Sequence, residues 1–243
     1  MKDTVPEIAV ILAAGFGSRL HVRDNTLKPF QSVAGRALIL RVIDRFEELG
    51  IREVVVVTGY RAAEVQAGIR EAGFSIKVKF AHNPKYEMSN GLSVLAAKEE
   101  VGNRSFYLSM SDHVFDEIII NGLIEVKIPE DGLVLAIDRK LETVFDMNDA
   151  TKVKTIENRI VAIGKNFEEF DAVDTGLFAC SPGLFDAIEN VTGRKSDGDC
   201  TISEGVMVLA DQKKALAHDI GHALWQDVDT PESLENARRI FGS

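Results

Sequence analysis

A glycine-rich loop follows an apolar segment near the N-terminus of this 243-residue chain. In AVILAAGFGSRL, Ala9 to Leu20, the apolar run predicts a buried strand, and Gly15 and Gly17 predict a tight turn directly after it. Backbone amides in such a loop can bind phosphate oxygens. Three basic side chains lie close by in the sequence: Arg19, Arg23 and Lys28. Three cations at one glycine-rich turn favour a triphosphate over a monophosphate, and a tight turn with solvated basic residues is the alternative.

Two common phosphate loops do not fit this segment. A Walker loop needs a lysine after its last glycine, and here Gly17 is followed by Ser18 and Arg19. The dinucleotide fingerprint needs glycine or alanine at the position of Leu20, and an acidic residue after the second strand, where the chain has Thr58-Gly59-Tyr60. A loop that wraps a nucleoside triphosphate, with cations from Arg19 and Lys28, remains.

Carboxylates that could hold a metal come from two distant segments. Asp112 ends the apolar run FYLSMSD, and Asp227 and Asp229 stand two residues apart in WQDVDTP, on one face of a predicted strand. Hard oxygen donors of this kind are typical ligands for Mg²⁺ beside phosphate. The alternative is that Asp112 and Asp229 cap the helices that follow, although Thr230 is also placed to cap the last one.

The elements that position these residues alternate along the chain. Apolar runs predict strands: EIAVILA, REVVVVTGY, SIKVKFAHN, RSFYLSMSD and GLVLAIDRK. Amphipathic segments predict helices between them: LILRVIDRFEELG, AAEVQAGIREAGF, GLSVLAAKEEV and EIIINGLIEV. This order indicates an α/β fold with a doubly wound, mostly parallel sheet, whose strands end at the ligand crevice. Beyond it, TKVKTIENRIVAIGKNF predicts an antiparallel hairpin, AVDTGLFACSP another strand and SEGVMVLADQ a helix. The last segment, HALWQDVDTPESLENARRIF, predicts a strand followed by a helix, with Thr230 as its N-cap and Pro231 at its first position.

Composition narrows the function classes. The chain is 45% hydrophobic and carries a formal net charge of −10, so it can bury a full core but lacks the basic face that nucleic-acid binding needs. The longest apolar runs have the length of strands, and the first residues are polar and acidic, so neither a membrane span nor a signal peptide is predicted. Two cysteines, Cys180 and Cys200, form no disulfide framework, and we expect a cytoplasmic protein.

The motif LAAGFGSRL followed by KPF resembles the signature loop of nucleotidyltransferases that join a nucleoside triphosphate to a sugar phosphate or an alcohol phosphate. The resemblance continues through further segments: VAGRALILRVIDRFEELGIREVVVVTGY, NPKYEMSNGLSVLAAK, SDH, DTGLF and WQDVDTPES. The Asn-x-x-Ser segment from Asn90 to Ser93 resembles that of the cytidylyltransferases. Within these, the chain is most similar to the CTP:inositol-1-phosphate cytidylyltransferase group.

This resemblance implies a nucleotide-diphospho-sugar transferase fold and a reaction. CTP and inositol 1-phosphate would give CDP-inositol and pyrophosphate, with Mg²⁺ as cofactor. One domain, 1–243, would bind the nucleotide mainly through 1–140, whereas 141–243 would supply the acceptor site and a closing helix. The family is often fused to a membrane synthase that makes di-inositol phosphate, so a separate membrane-bound synthase is an expected partner. Alternatives are phosphocholine, an aminoalkyl phosphonate or a hexose 1-phosphate as acceptor, or a nucleotide-sensing subunit without catalysis.

The resemblance also assigns the site residues. Arg19 and Lys28 would stabilise the triphosphate and the leaving group, Lys165 the incoming phosphate, and Asp112, Asp227 and Asp229 the metal. The expected nucleotide-binding residues are Leu12, Ala13, Ala14, Gly15, Gly17, Ser18, Asn83, Asn90, Gly91, Ser93 and Ser111. The expected acceptor-binding residues are Asp138, Asp174, Thr175, Gly176 and Glu204.

Three residues at or near these positions have structural alternatives: Ser89, Asn90 and His113. His113 is left out as a general base, because a phosphomonoester with a second pKa of about 6 is already largely dianionic at pH 7. Ser89 or Asn90 could instead cap the helix that follows them, since serine and asparagine are favoured at N-caps.

Overall fold

The computed structural model describes residues 5–17, 19–20 and 26–242 of the chain. The strands are β1 (Ile8–Ala13), β2 (Ser32–Val33), β3 (Arg36–Ala37), β4 (Glu53–Thr58), β5 (Lys77–His82), β6 (Phe106–Met110), β7 (His113–Phe115), β8 (Leu133–Asp138), β9 (Lys152–Ile156), β10 (Arg159–Gly164), β11 (Ala172–Cys180), β12 (Ala215–Asp219) and β13 (Trp225–Asp227). The helices are α1 (Leu38–Glu48), α2 (Ala62–Ala72), α3 (Gly91–Ala96), α4 (Lys98–Val101), α5 (Glu117–Glu125), α6 (Gly183–Thr192), α7 (Ile202–Asp211) and α8 (Pro231–Phe241). Short 3₁₀ turns span Lys28–Phe30 and Leu141–Thr143.

A nine-stranded mixed sheet organises the molecule. Its strand order is β5-β4-β1-β6-β11-β8-β12-β10-β9. The first four strands are parallel, β11 runs antiparallel to both β6 and β8, and β12 is parallel to β8. The α/β class with a largely parallel nucleotide half is confirmed. The antiparallel strands β9, β10 and β11 belong to this same sheet, whereas β7 with β13 and β2 with β3 form two small antiparallel sheets of their own.

Apolar clusters cover both faces of this sheet. Every residue of β1 and of β4 is buried, as expected of parallel strands with helices on both sides. Neighbouring residues of β6 point to opposite faces: the Phe106 ring stacks on Phe185 at 5.0 Å between centroids, and the Tyr107 ring stacks on Phe46 at 6.2 Å. The sheet therefore separates two hydrophobic cores, one on each of its faces.

Most predicted elements are confirmed, with one interruption. The helix predicted over GLSVLAAKEEV is two pieces, α3 and α4, because the Ala97 amide donates to the Val94 carbonyl three residues earlier. Thr230 caps α8 through a hydrogen bond from the Ser233 amide, with Pro231 at the first helical position, as predicted. In the described ranges, no helix combines the length and apolarity needed to cross a bilayer.

Candidate active site

A cleft of about 340 Å³ opens where the carboxyl ends of β1 and β6 meet. The chain positions it as parallel α/β sheets generally do, because the loops after neighbouring parallel strands diverge there. Twelve predicted site residues line it: Leu12, Ala14, Gly15, Arg19, Asn90, Ser93, Asp112, Lys165, Asp174, Gly176, Asp227 and Asp229. Buried close behind the loop and strands are Ala13, Asn83, Gly91, Ser111 and Thr175. Ser18 and Arg23 lie outside the described residues.

The glycine loop is shaped around Lys28. Gly17 has a φ of +66°, and a Cβ there would come within 2.9 Å of the Lys28 side chain, so glycine allows the lysine to run along the loop. At the end of the second strand, a Cβ on Gly59 would meet the Ala14 carbonyl oxygen at 2.8 Å. The glycine found there in place of an acidic residue therefore lets the two loops pack closely.

Lys28 lies between two of the predicted metal carboxylates. Its ammonium group pairs with both Asp112 and Asp229, and its side chain is only 13% exposed. Burial alone would lower the pKa of Lys28, but the two carboxylates outweigh burial and raise that pKa above its ordinary value. Lys28 is therefore a fixed cation in this cleft at any pH near neutrality.

Arg19 and Lys165 meet at a carboxylate that the sequence reasoning missed. Asp149 accepts a hydrogen bond from Arg19 Nη1 at 2.7 Å and another from Lys165 Nζ at 2.5 Å. Arg19 also donates to Asp229 at 2.5 Å. Burial raises the pKa of Asp149, but the hydrogen bonds from Lys165 and Arg19 outweigh it and hold that pKa below its usual range.

Three carboxylates could share a divalent cation. One oxygen each from Asp149, Asp227 and Asp229 lies within 4.8 Å of the other two. Burial raises the pKa of Asp227, and so do the nearby carboxylates of Asp229 and Asp112, a repulsion that a bound cation would relieve. These hard oxygen donors fit Mg²⁺. Asp149 joins the predicted ligands Asp227 and Asp229 in this group. The predicted Asp112 lines the same cleft and, like Asp229, pairs with Lys28.

The start of α3 brings polar groups to the cleft. Ser93 receives a hydrogen bond from the buried Asn83 amide at 3.0 Å, and Asn90 Oδ1 accepts from the Ile202 amide at 2.9 Å. No side-chain cap is formed at this helix end, and Ser89 binds Asp199 instead, so the capping alternative for Ser89 and Asn90 is wrong.

Strand β11 supplies the opposite wall. The Gly176 amide donates to Asp174 Oδ1 at 2.7 Å. Gly176 has a φ of +76°, and the His113 ring occupies the space a Cβ would need. His113 Nδ1 lies 2.8 Å from the carbonyl oxygen of Thr175. The hydroxyl of Thr175 donates to the carbonyl oxygen of Ala136 at 2.8 Å. His113 and Thr175 thus hold β11 against β7, which is the structural role expected for His113.

Comparison with known proteins identifies the domain. The family model described as MobA-like NTP transferase domain matches residues 9–201. The chain belongs to this family. A bifunctional IPC transferase and DIPP synthase from Thermococcus kodakarensis is 38% identical over 98% of this chain and 51% of its own length. A protein of the same name from Aquifex aeolicus is 34% identical over 97% of this chain and 52% of its own length. The chain therefore spans about half the length of the curated relatives it matches.

The fold of the NTP transferase domain is shared with solved structures. The inositol-1-phosphate CTP transferase from T. maritima superposes with a TM-score of 0.83, covering 98% of this chain and 97% of that one, at 24% sequence identity. At this identity, the likeness establishes the fold. It confirms the predicted nucleotide-diphospho-sugar transferase architecture.

Two predicted acceptor residues lie outside the cleft of this NTP transferase domain. Asp138 is 2% exposed and accepts hydrogen bonds from Trp225 Nε1 at 2.9 Å and from Lys140 Nζ at 2.7 Å. Glu204 closes a capping box with Thr201 at the start of α7, and it pairs with Lys195 at 2.5 Å. Both carboxylates have protein partners in this structure, and Glu204 lines a neighbouring pocket together with Asn90 and Lys165. That Asp138 and Glu204 bind acceptor hydroxyls stays a prediction.

Proposed function

We propose that this NTP transferase domain transfers a cytidylyl group from CTP to inositol 1-phosphate, giving CDP-inositol and pyrophosphate. The observation that carries the proposal is the convergence of Arg19, Lys28 and Lys165 on one cleft beside the glycine loop. The chain as a whole carries a net charge of −10, so phosphates must be bound by cations placed locally. Three such cations in one cleft are suited to a triphosphate together with a second phosphate. The names of the bifunctional relatives from T. kodakarensis and A. aeolicus support the choice of substrates.

In this proposal, an oxygen of the acceptor phosphate attacks the α-phosphorus of CTP. A new phosphorus–oxygen bond forms as the bond to the β-phosphate breaks, and pyrophosphate leaves with that electron pair. Lys165 neutralises the acceptor phosphate, which reduces the repulsion between two approaching anions. Arg19 and Lys28 stabilise the charge on the triphosphate and on the leaving pyrophosphate. The acceptor oxygen is already deprotonated, so the reaction needs no general base.

Mg²⁺ is part of the proposal. Asp149, Asp227 and Asp229 would hold it, and Asp112 remains a predicted ligand. When bound, the ion supplies positive charge to phosphate oxygens. Asn90 and Ser93 would contact the base, whereas Asp174 and Gly176 would contact the acceptor.

The organisation of the protein is proposed with the reaction. One domain, 1–243, would bind the nucleotide mainly through 1–140 and the acceptor mainly through 141–243. A functional link to a DIPP synthase is supported by the two activities in the relatives' names, and the membrane location of that synthase stays a prediction. A cytoplasmic location is supported by the free thiols of Cys180 and Cys200, because such an environment keeps thiols reduced.

The first test is pyrophosphate release with a substrate panel. CTP, UTP, dTTP, ATP and GTP are each offered with Mg²⁺ and with inositol 1-phosphate, phosphocholine or glucose 1-phosphate. We expect turnover with CTP and inositol 1-phosphate alone. Turnover with CTP and another acceptor would correct the acceptor, and preference for another nucleotide would correct the role of Asn90 and Ser93. CTP binding without turnover on any acceptor would indicate a nucleotide sensor.

Lys28→Ala tests the cation that carries the mechanism. We expect kcat to fall by about 10²–10³-fold, the usual cost of losing one group that stabilises developing charge. The matched control is Lys98→Ala, which removes a lysine paired with Asp186 and Glu189 outside the cleft. Circular dichroism of both variants checks that the fold is retained. A kcat near that of the wild type in Lys28→Ala would remove this lysine from the mechanism.

A further inference from the structure

Asp149 joins cations from two different parts of the molecule. Arg19 belongs to the loop after β1, and Lys165 directly follows β10, yet both donate to this one carboxylate. Each carboxylate oxygen has one cation: Oδ2 accepts from Arg19 and Oδ1 from Lys165. The side chain of Asp149 is 27% exposed, so the contacts lie at the open side of the cleft.

The segment between β8 and β9 presents this carboxylate. The Asp149 amide donates to Asp146 Oδ1 at 3.2 Å, and the Ala150 amide donates to the Asp146 carbonyl at 3.0 Å. This turn places Asp146 and Asp149 in the lining of the same cleft. Only Asp149 has an ion pair among the contacts described for these two carboxylates.

We propose that Asp149 is a positioning residue that holds Arg19 and Lys165 in the cleft and competes with both substrates' phosphates for them. This inference rests on the proposed function, which gives Arg19 to the triphosphate and Lys165 to the acceptor phosphate. An incoming phosphate must displace the carboxylate from at least one cation, and ion pairs this exposed are weak enough to exchange.

The inference predicts that removing the charge of Asp149 tightens substrate binding. Asp149→Asn keeps the size of the side chain and one acceptor oxygen. In EDTA, where no metal is bound, we expect its Kd for CTP to fall about threefold to fivefold, the magnitude of one partly exposed ion pair. In steady state with Mg²⁺, the loss of a proposed metal ligand acts on KM for CTP in the opposite direction, so the measurement in EDTA isolates the competition; kcat should not rise. Calorimetry measures the binding.

Two variants separate this role from a general charge effect and from a structural one. Asp146→Asn removes the same charge from the same cleft and keeps an acceptor for the Asp149 amide, so its Kd should change less than twofold. Asp149→Glu keeps the charge, so its Kd should stay near that of the wild type.

The outcomes are distinct. Tightening in Asp149→Asn alone supports the proposal. An equal shift in Asp146→Asn would overturn it, because the effect would then be general electrostatics. Weaker binding of CTP with Mg²⁺, and an unchanged Kd in EDTA, would also overturn it, because Asp149 would act as a metal ligand only. A wild type that binds no CTP would refute the proposed function itself.

Discussion

Asp174 carries a buried carboxyl group on the β11 side of the cleft. Burial raises its pKa to about 6, and neither the hydrogen bond from the Gly176 amide nor the nearby His113 is enough to cancel that effect. The folded protein therefore binds a proton at Asp174 more tightly than the unfolded chain does. At neutral pH, the ionised carboxylate is a cost to the fold that a neutral side chain would not carry.

Asp174→Asn should raise the free energy of unfolding at pH 7.5 by about 1–3 kcal/mol. The pKa of Asp174 is near 3.8 in the unfolded chain and about 6 in the folded protein. Its stabilising contribution is therefore complete below pH 3.8 and is lost as the pH rises through about 6. The difference between variant and wild type should therefore be small at pH 4 and reach its maximum above pH 6. Urea unfolding followed by Trp225 fluorescence measures it. A difference independent of pH would contradict the prediction.

Asp171→Asn is the control with the opposite sign. Burial raises the pKa of Asp171, but hydrogen bonds from Thr155 and Arg139 outweigh it and hold that pKa below its usual value. Its contribution to stability is present above the unfolded pKa and declines as the pH falls through the folded one. This variant should therefore be less stable than the wild type at pH 7.5, with a smaller difference below pH 4.

At the residue scale, motifs predicted most of the charged residues that meet in the cleft, but they did not predict Asp149. Arg19, Lys165 and Asp229 come together as expected, although they are far apart in sequence. Asp149 was missed because it lies in a segment without a motif, and only the fold brings it to Arg19. Glu204 had a readable structural signal, since the Thr-x-x-Glu spacing predicts a capping box.

At the scale of elements, the start of α3 is fastened to the segment that begins α7. The Gly91 amide donates to the Cys200 carbonyl at 3.0 Å, and Asn90 accepts from Ile202. A Cβ on Gly91 would overlap this carbonyl oxygen and approach its carbon at 3.0 Å. The contact between Gly91 and Cys200 is made by backbone atoms on both sides. Neither α3 nor the segment before α7 can therefore move apart there without displacing the cleft residues that follow it.

Gly91→Ala should destabilise the protein by about 1–3 kcal/mol and raise KM for CTP, although alanine is ordinarily the better helix former. The added methyl group must push α3 away from Cys200, and Asn90 and Ser93 move with it. Urea unfolding and steady-state kinetics measure the two effects.

Gly193→Ala provides the comparison for this variant. Gly193 has a helical φ of −68°, and the nearest atom to its Cβ is the Glu189 carbonyl oxygen at 3.2 Å. Its destabilisation should be clearly smaller, with KM unchanged. Equal effects in the two variants would mean that the contact with Cys200 does not matter.

Element prediction succeeded where the pattern is local. The buried runs of β1 and β4 and the stripe of α1 can be read from their residues alone. The prediction did not include β12. This strand, ALAHD, has only 5 residues, and some of them are polar. That strand is defined by its pairing with β8, from Ala215 opposite Leu133 to Asp219 opposite Ile137, which is a long-range contact.

At the scale of the whole molecule, the two proposed parts of the chain are interleaved in one sheet. Strand β11, from the second part, lies between β6 and β8 of the first, and β12 pairs on the other side of β8. Strand β8 of the first part is therefore paired on both sides with strands of the second part. Sequence patterns predicted β6, β8 and β11 but not this order, because the direction and neighbours of β11 depend on contacts far along the chain.

We expect one cooperative unfolding transition. Fluorescence of Trp225, the single tryptophan, reports on β13, whereas far-UV circular dichroism reports on all the helices and strands. The two signals should change at the same urea concentration and with the same slope. Two separated transitions would show that the nucleotide and acceptor parts unfold independently.

The position of β11 also sets a time during synthesis when the sheet is incomplete. The strands β5, β4, β1 and β6 have all been translated once Met110 is made, but the outer edge of β6 has no partner until Ala172 to Cys180 follow. At ordinary translation rates, the intervening residues take roughly 4 to 14 s. During that time, a nascent chain exposes an apolar strand edge that can pair with other chains. We therefore expect the edge of β6 to be the place where a nascent chain is most prone to pair with another chain.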